Sequence, residues 1–338
     1  MNHVERFRAV MGFEQADRLP VVEWASWWNL TIERWWKEGL PTDLEEAGEI
    51  RDYFGLDCYR QCWLRHRRTD CPGPKSHGAP LIATEAEYDD FKNSYLFPEN
   101  GLETDTIRDW ETRHSRGETV IWFTLEGFFW FPRTLLGIEP HLYAFFDKPE
   151  LMHRINSDLA EFHLKILERL FEICSPDFMT FAEDLSYNNG PMISKECYDE
   201  FLAPYYKKVI PVLEEHGVLP FIDSDGDITS AVPWFEEVGI VGVLPLERKA
   251  GVDVAEIRRN HPRFRMLGAF DKTVMSKGEE AMRAEFERLL PVMRSGGFIP
   301  SVDHQTPPDV SLETYGVYLD LLNEYCRKAA TPVDEVVS

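Results

Sequence analysis

The chain has 338 residues, 43% of them hydrophobic and 28% charged, the profile of an ordinary globular protein with material for a large core. Its 36 basic and 59 acidic residues give a formal charge of -23. A surface of that sign repels nucleic acid and anionic membranes, so neither is an expected partner. No apolar stretch approaches the roughly 18 residues of a bilayer span. Six cysteines over this length make no disulfide framework, and the cytoplasm is the expected compartment.

Residues 2–15 read as an amphipathic helix without the apolar core of a signal peptide. Asp17-Arg18 breaks it, and Leu19-Pro20-Val21-Val22 reads as a strand. Five of the ten tryptophans follow: Trp24, Trp27, Trp28, Trp35 and Trp36. Packing in a helical layer explains them. The sharper alternative is an aromatic lid over a flat or apolar ligand, with Trp24 and Trp27 in contact with it. Residues 37–118 carry few signals. Within them 56–64 reads as a strand and 72–80 as a loop, and Arg65, His66, Arg67 and Arg68 read as a solvated basic loop. Cys58, Cys62 and Cys71 lack the tight pairing of a zinc knuckle and read as ordinary thiols.

Order returns at 120–125, a strand closed by Glu126-Gly127. Glu126 serves either a cleft or the cap of the helix that starts near Pro132. A long amphipathic helix spans 147–174, with Asp147 as its N-cap and Pro149 in its first turn. Strands and helices then alternate through short links, the pattern of parallel βα units. The strands fall at 178–182, 219–222, 241–246, 265–270 and 298–302; the helices at 194–216, 230–238, 254–260, 278–295 and 311–327. Each strand ends in charge: Glu183-Asp184, then Asp223, Asp225 and Asp227 around Gly226, then Glu247-Arg248-Lys249, Asp271-Lys272 and Asp303-His304. A doubly wound sheet gathers ligands at one switch point, whereas a barrel brings every strand end to one mouth. Successive polar strand ends favour the barrel, and no nucleotide-binding glycine motif competes.

Several stretches carry a family likeness: RFRAVMGFEQADRLPV at 6–21, LEGFFWFPRTLLGIEPHLYAFFDKPEL at 125–151, AEDLSYNNGPMIS at 182–194, FIDSDGDI at 221–228, LPLERKAGVDV at 244–254, LGAFDK at 267–272 and GGFIPSVDHQTPPDVSLETY at 296–315. In this order they resemble the uroporphyrinogen decarboxylase superfamily, which also holds corrinoid and coenzyme M methyltransferases. The resemblance implies an α/β fold, a single (β/α)8 TIM barrel over residues 1–338 with N-terminal helical additions, and relatives that are often dimers. The decarboxylases bind substrate carboxylates through N-terminal arginines; here that region reads VVEWASWWNLTIERWW, without arginine before Arg34. Their cleft aspartate has no counterpart in LDCYRQCW at 56–63, although His304 falls where they have a cleft histidine. The methyltransferase branch holds zinc through His-x-Cys, and this chain has Asp223-Ser224-Asp225-Gly226 there.

These residues suggest a divalent metal on Asp223, Asp225 and His304, with Glu247 or Glu183 as further ligand or base. Zinc follows from the resemblance, and manganese or iron also suits oxygen donors. The rival without metal has Asp223 or Glu183 as general base, with Lys272 and Arg248 neutralising charge. Asp184 and Glu126 complete the expected substrate contacts. The expected function is transfer of a methyl or one-carbon group from a small methylated compound, with a corrinoid protein as partner. Alternatives are a metal-free decarboxylase or lyase, and a protein that binds a tetrapyrrole or corrinoid without reacting it.

Overall fold

Seven strands lie side by side in one sheet: β1 Tyr59–Trp63, β2 Val120–Glu126, β3 Phe178–Ala182, β4 Leu219–Ser224, β5 Gly242–Pro245, β6 Arg265–Phe270 and β7 Phe298–Val302. All neighbours pair in parallel. The computed structural model describes residues 1–330, so 331–338 of the single-domain expectation lie outside the described residues. Helices cover the sheet, as parallel strands buried on both faces require. The fold is a TIM-type barrel with seven regular strands.

The gap between β7 and β1 is filled by residues 19–25, of which the sequence suggested 19–22 as a strand. The segment is extended but forms no regular ladder, because acid side chains take the places of main-chain partners. Val21 N–H donates to Asp57 Oδ2 at 3.0 Å, and Val302 N–H donates to Glu23 Oε1 at 3.4 Å. Glu23 also accepts from Ser301 Oγ at 2.6 Å and from Tyr315 Oη at 3.0 Å. The segment is thus stitched through Asp57 on one side and through Glu23 on the other, and burial pushes the Glu23 carboxyl up to about 7 against its hydrogen bonds. Burial also pushes Asp57 up, but Arg18, His3 and the Val21 N–H outweigh it and hold Asp57 well below the carboxylate range.

Trp27, for which ligand contact was the alternative to packing, packs into an aromatic cluster away from the barrel mouth. Its ring lies 5.9 Å from those of Trp35, Phe54 and Tyr315, and Trp27 is only 4% exposed. A large apolar ring without a nearby cleft is more stable in such a layer. Two helical expectations also change. The 194–216 helix is two, Lys195–Phe201 and Ala203–Glu215, since Pro204 lacks the N–H to continue the first and suits the start of the second. Asp147 ends the helix Ile138–Asp147 and does not cap the next, which runs Pro149–Phe171 with Lys148 at its cap position. Helices Ala47–Tyr53, Glu85–Tyr95 and Thr104–His114 fill the stretch with few signals. Among the described residues no helix is long and apolar enough to cross a membrane.

Candidate active site

Strand alternation decides which residues reach the barrel interior. Gln61 Nε2 donates to Thr124 Oγ1 at 3.0 Å, and Trp122 Nε1 to Thr180 Oγ1 at 3.0 Å, so these positions share the inner face. Two residues further along each strand, the same face carries Trp63, Glu126 and Ala182, with Asp223 beside Ala182 in register. Ala182 is the small member of that row. Its missing bulk leaves a hollow of about 210 Å3 at the C-terminal ends of the strands, walled by Trp24, Trp63 and Trp130 and bounded by Glu183, Asp184, Asp223, Asp225 and His304.

Asp223 is the central group. Its carboxyl receives no hydrogen bond from any described residue, and burial, with repulsion from Asp184 and Asp225, pushes it well above the usual range. Asp225 is raised to about 7 by burial and by Asp184 and Glu247, with Lys272 opposing. Burial raises Asp184 too, although its Oδ1 accepts the Asp225 N–H at 3.2 Å. Asp184 adopts φ 44°, a left-handed turn that an aspartate tolerates better than most side chains. Gly226, at φ 81°, makes the second sharp turn and gives its N–H to Glu247 Oε2 at 2.9 Å. His304 Nε2 stands 3.7 Å from Asp225 Oδ2, and burial and Lys272 lower its pKa, which favours the neutral ring.

Glu183 lies against the hollow but is spent on structure. It is 1% exposed and accepts the N–H groups of Phe128 at 2.7 Å, Phe129 at 2.8 Å and Trp130 at 3.0 Å, together with the Tyr206 hydroxyl. Gly127 permits this approach, since a Cβ there would fall 2.1 Å from the Glu183 carboxyl carbon. Burial raises Glu183 to about 8 against its three backbone hydrogen bonds. Asp303 plays a similar part at the other side, accepting the N–H groups of Arg248 at 3.1 Å and Lys272 at 3.2 Å. Lys272 Nζ lies 3.9 Å from Asp303, and Arg248 Nη1 turns to Val252 O at 3.1 Å, so neither side chain lines the hollow. Glu126 pairs with His66 Nε2 at 3.1 Å, while its Oε2 is buried without a partner and burial pushes the group up to about 7.

The sequence reading missed Trp63, Trp130 and Arg133, and it put His66 in a solvated loop, whereas the ring is largely buried against Phe131 and Glu126. Trp63 is legible in retrospect from alternation with Gln61. Arg133, 5.0 Å over the Trp130 ring, follows it by one helical turn.

The family model for uroporphyrinogen decarboxylase (URO-D) matches residues 134–325, more than half of the 338 residues. The chain belongs to the uroporphyrinogen decarboxylase family. A curated relative in that family, the uroporphyrinogen decarboxylase of Pseudoalteromonas translucida (strain TAC 125), is 22% identical over 191 residues, covering 54% of this chain and 51% of that protein. The chain thus aligns with about half the length of that curated relative. Among solved structures, a methyltransferase from Methanosarcina mazei matches with a TM-score of 0.65 at 15% identity, covering 96% of this chain and 99% of that one. At that identity the likeness establishes a shared fold.

The metal expected from the family's methyltransferase branch was assigned to Asp223, Asp225, His304 and Glu247, and these do not converge as a ligand set. Glu247 points an oxygen at the Gly226 N–H, and Asp225 and His304 meet only as a pair. Among the described residues no group of three or more His, Cys, Asp or Glu side chains is placed to hold an ion. All six cysteines are free thiols.

Proposed function

We propose that this chain transfers a methyl or other one-carbon group from a small methylated compound to a nucleophilic acceptor. The observation that carries the reading is the size and sign of the hollow. It offers about 210 Å3 between tryptophan walls and acid groups whose ionised forms burial and mutual repulsion disfavour unless an added positive charge answers them. A carboxylate-rich macrocycle would press its own negative charges against Asp184, Asp223 and Asp225, which opposes binding. A small methylated donor brings no such conflict. It would sit over Ala182 with its methyls against Trp24, Trp63 and Trp130 and its polar centre toward Asp223. The likeness to the Methanosarcina mazei methyltransferase over nearly the whole chain supports this reading. The acceptor expected from the family resemblance is a reduced corrinoid on a partner protein, with a thiol as the other nucleophile.

A metal-free decarboxylase or lyase on a smaller substrate is the second reading. Glu126 favours it, because a carboxyl raised to about 7 holds a proton near neutral pH for a carbanion formed beside Ala182. The test is incubation of the purified protein with carbon-13 methyl donors and reduced cobalamin. Appearance of methylcobalamin supports transfer. Release of carbon dioxide from a carboxylated compound, with no methyl moved from any donor, supports the second reading and overturns the first.

A further inference from the structure

The acidic side of the hollow is only partly answered by the protein. Arg133 acts on Asp184 and Lys272 on Asp225, whereas no positive group acts on Asp223, so a bound cation would favour its ionised form. Asp184, Asp223 and Asp225 repel one another, and Glu247 and Asp303 add to the field at Asp225. The positive groups nearby are committed elsewhere or held back. Arg133 lies over Trp130, Lys272 faces Asp303, Arg248 turns to Val252 O, and the depressed pKa of His304 favours its neutral form. No described residue donates to the Asp223 carboxyl, and the acids and histidine do not form a metal-holding group.

The opposite wall is aromatic. Trp63 is 52% exposed, although it stands on the inner face, and its ring has no stacking or hydrogen-bonding partner among the described residues. Trp24 is fixed with its Nε1 donating to Val302 O at 2.6 Å, which turns the indole into a rigid part of the wall. Indole faces attract cations, most strongly where water is displaced. An unsatisfied carboxyl facing an unpartnered indole across a small hollow is an arrangement for a compact organic cation with apolar substituents.

Resting on the methyl-transfer reading, we infer that the donor is a small methylated onium compound, a quaternary ammonium or a sulfonium. The charge then does the work that a metal or an acid would do for a neutral donor. The acceptor's electron pair forms the new bond to the methyl carbon. The carbon–nitrogen or carbon–sulfur bond breaks with its pair retained by nitrogen or sulfur, and a neutral amine or thioether leaves without taking up a proton. Loss of charge also removes the attraction to Asp223 and the indoles, so product release follows from the same chemistry.

The test is titration calorimetry of the full chain at low salt with choline and with its neutral carbon isostere, 3,3-dimethylbutan-1-ol. Choline is expected to bind at least roughly tenfold more tightly than the isostere. Trp63→Leu and Asp223→Asn should each weaken choline by roughly threefold to thirtyfold and leave the isostere unchanged. Equal binding of the two probes, no binding of choline, or choline binding indifferent to both substitutions overturns the inference. Methyl transfer from neutral ethers alone, with choline inert, leaves the transfer reading standing and removes this one. Choline binding in the stated pattern, with no methyl leaving any donor, leaves a cation-binding site but removes both the transfer reading and the assignment of the onium compound as donor.

Discussion

Replacing Glu183 removes the anchor that holds Trp130 at the edge of the hollow. The Glu183 carboxyl takes three successive backbone N–H groups, at 2.7, 2.8 and 3.0 Å, and meets the Tyr206 hydroxyl besides. Glutamine keeps the shape but only one acceptor oxygen, so at least one buried N–H loses its partner, at a cost of about 1–3 kcal/mol. Alanine removes both oxygens and leaves all three N–H groups, so the loss reaches about 3 kcal/mol even at the low end of that range. Raised to about 8 by burial, Glu183 is mostly protonated at neutral pH, but its neutral form can donate to Tyr206 and still accept the three N–H groups. The cost of glutamine therefore persists at lower pH. Gly127→Ala, which drives a methyl into the same carboxyl, should shift stability in the same direction. Urea unfolding followed by tryptophan fluorescence measures each variant. Stabilities of Glu183→Gln and Glu183→Ala within about 0.5 kcal/mol of the parent would refute the anchoring argument.

Stability should fall as pH rises from the ordinary carboxyl value of 4.5 through about 8, because Glu23, Glu126 and Glu183 hold protons in the folded state that the unfolded chain has already released. Melting temperatures across that window check the sign, and a steady rise would contradict the burial account. Arg18→Met leaves Asp57 buried without its bidentate partner, whose contacts are both 2.6 Å, and should cost about 3–5 kcal/mol in urea unfolding; an unchanged midpoint would separate this pair from barrel closure. A resident ion at a hundredfold excess over its Kd would add about 2.7 kcal/mol of stability. Neither excess zinc or manganese nor a chelator should move thermal unfolding on that scale, and a shift that large would contradict the donor geometry.

The barrel was legible because its signals are local. The strands Phe178–Ala182, Arg265–Phe270 and Phe298–Val302 and the helix Val254–Asn260 stand where apolar runs and turn residues put them. The gathering of Asp184, Asp223, Asp225 and His304 at one hollow also follows from strand ends meeting at one mouth. What sequence could not convey is where each carboxyl turns after leaving its strand. Glu183 and Glu247 look like cleft acids in sequence, yet both bind backbone N–H groups that only the folded loops bring within reach. Residues 19–22 look like a strand, but the ladder is broken by Asp57 and Glu23 supplying acceptors from their side chains. Trp24 and Trp27 are near neighbours in sequence, and one faces the hollow while the other packs against Tyr315.

The central claim is that Asp223, the carboxyl without a donor, meets the reacting substrate. The most direct measurement is the rate of methyl transfer from a carbon-13 methyl donor to reduced cobalamin by Asp223→Asn beside the unaltered chain, with both shown to melt at the same temperature. A fall of roughly 100-fold to 1000-fold is predicted, the scale of removing one preorganised electrostatic contact to the transition state. An undiminished rate in the folded variant would contradict it.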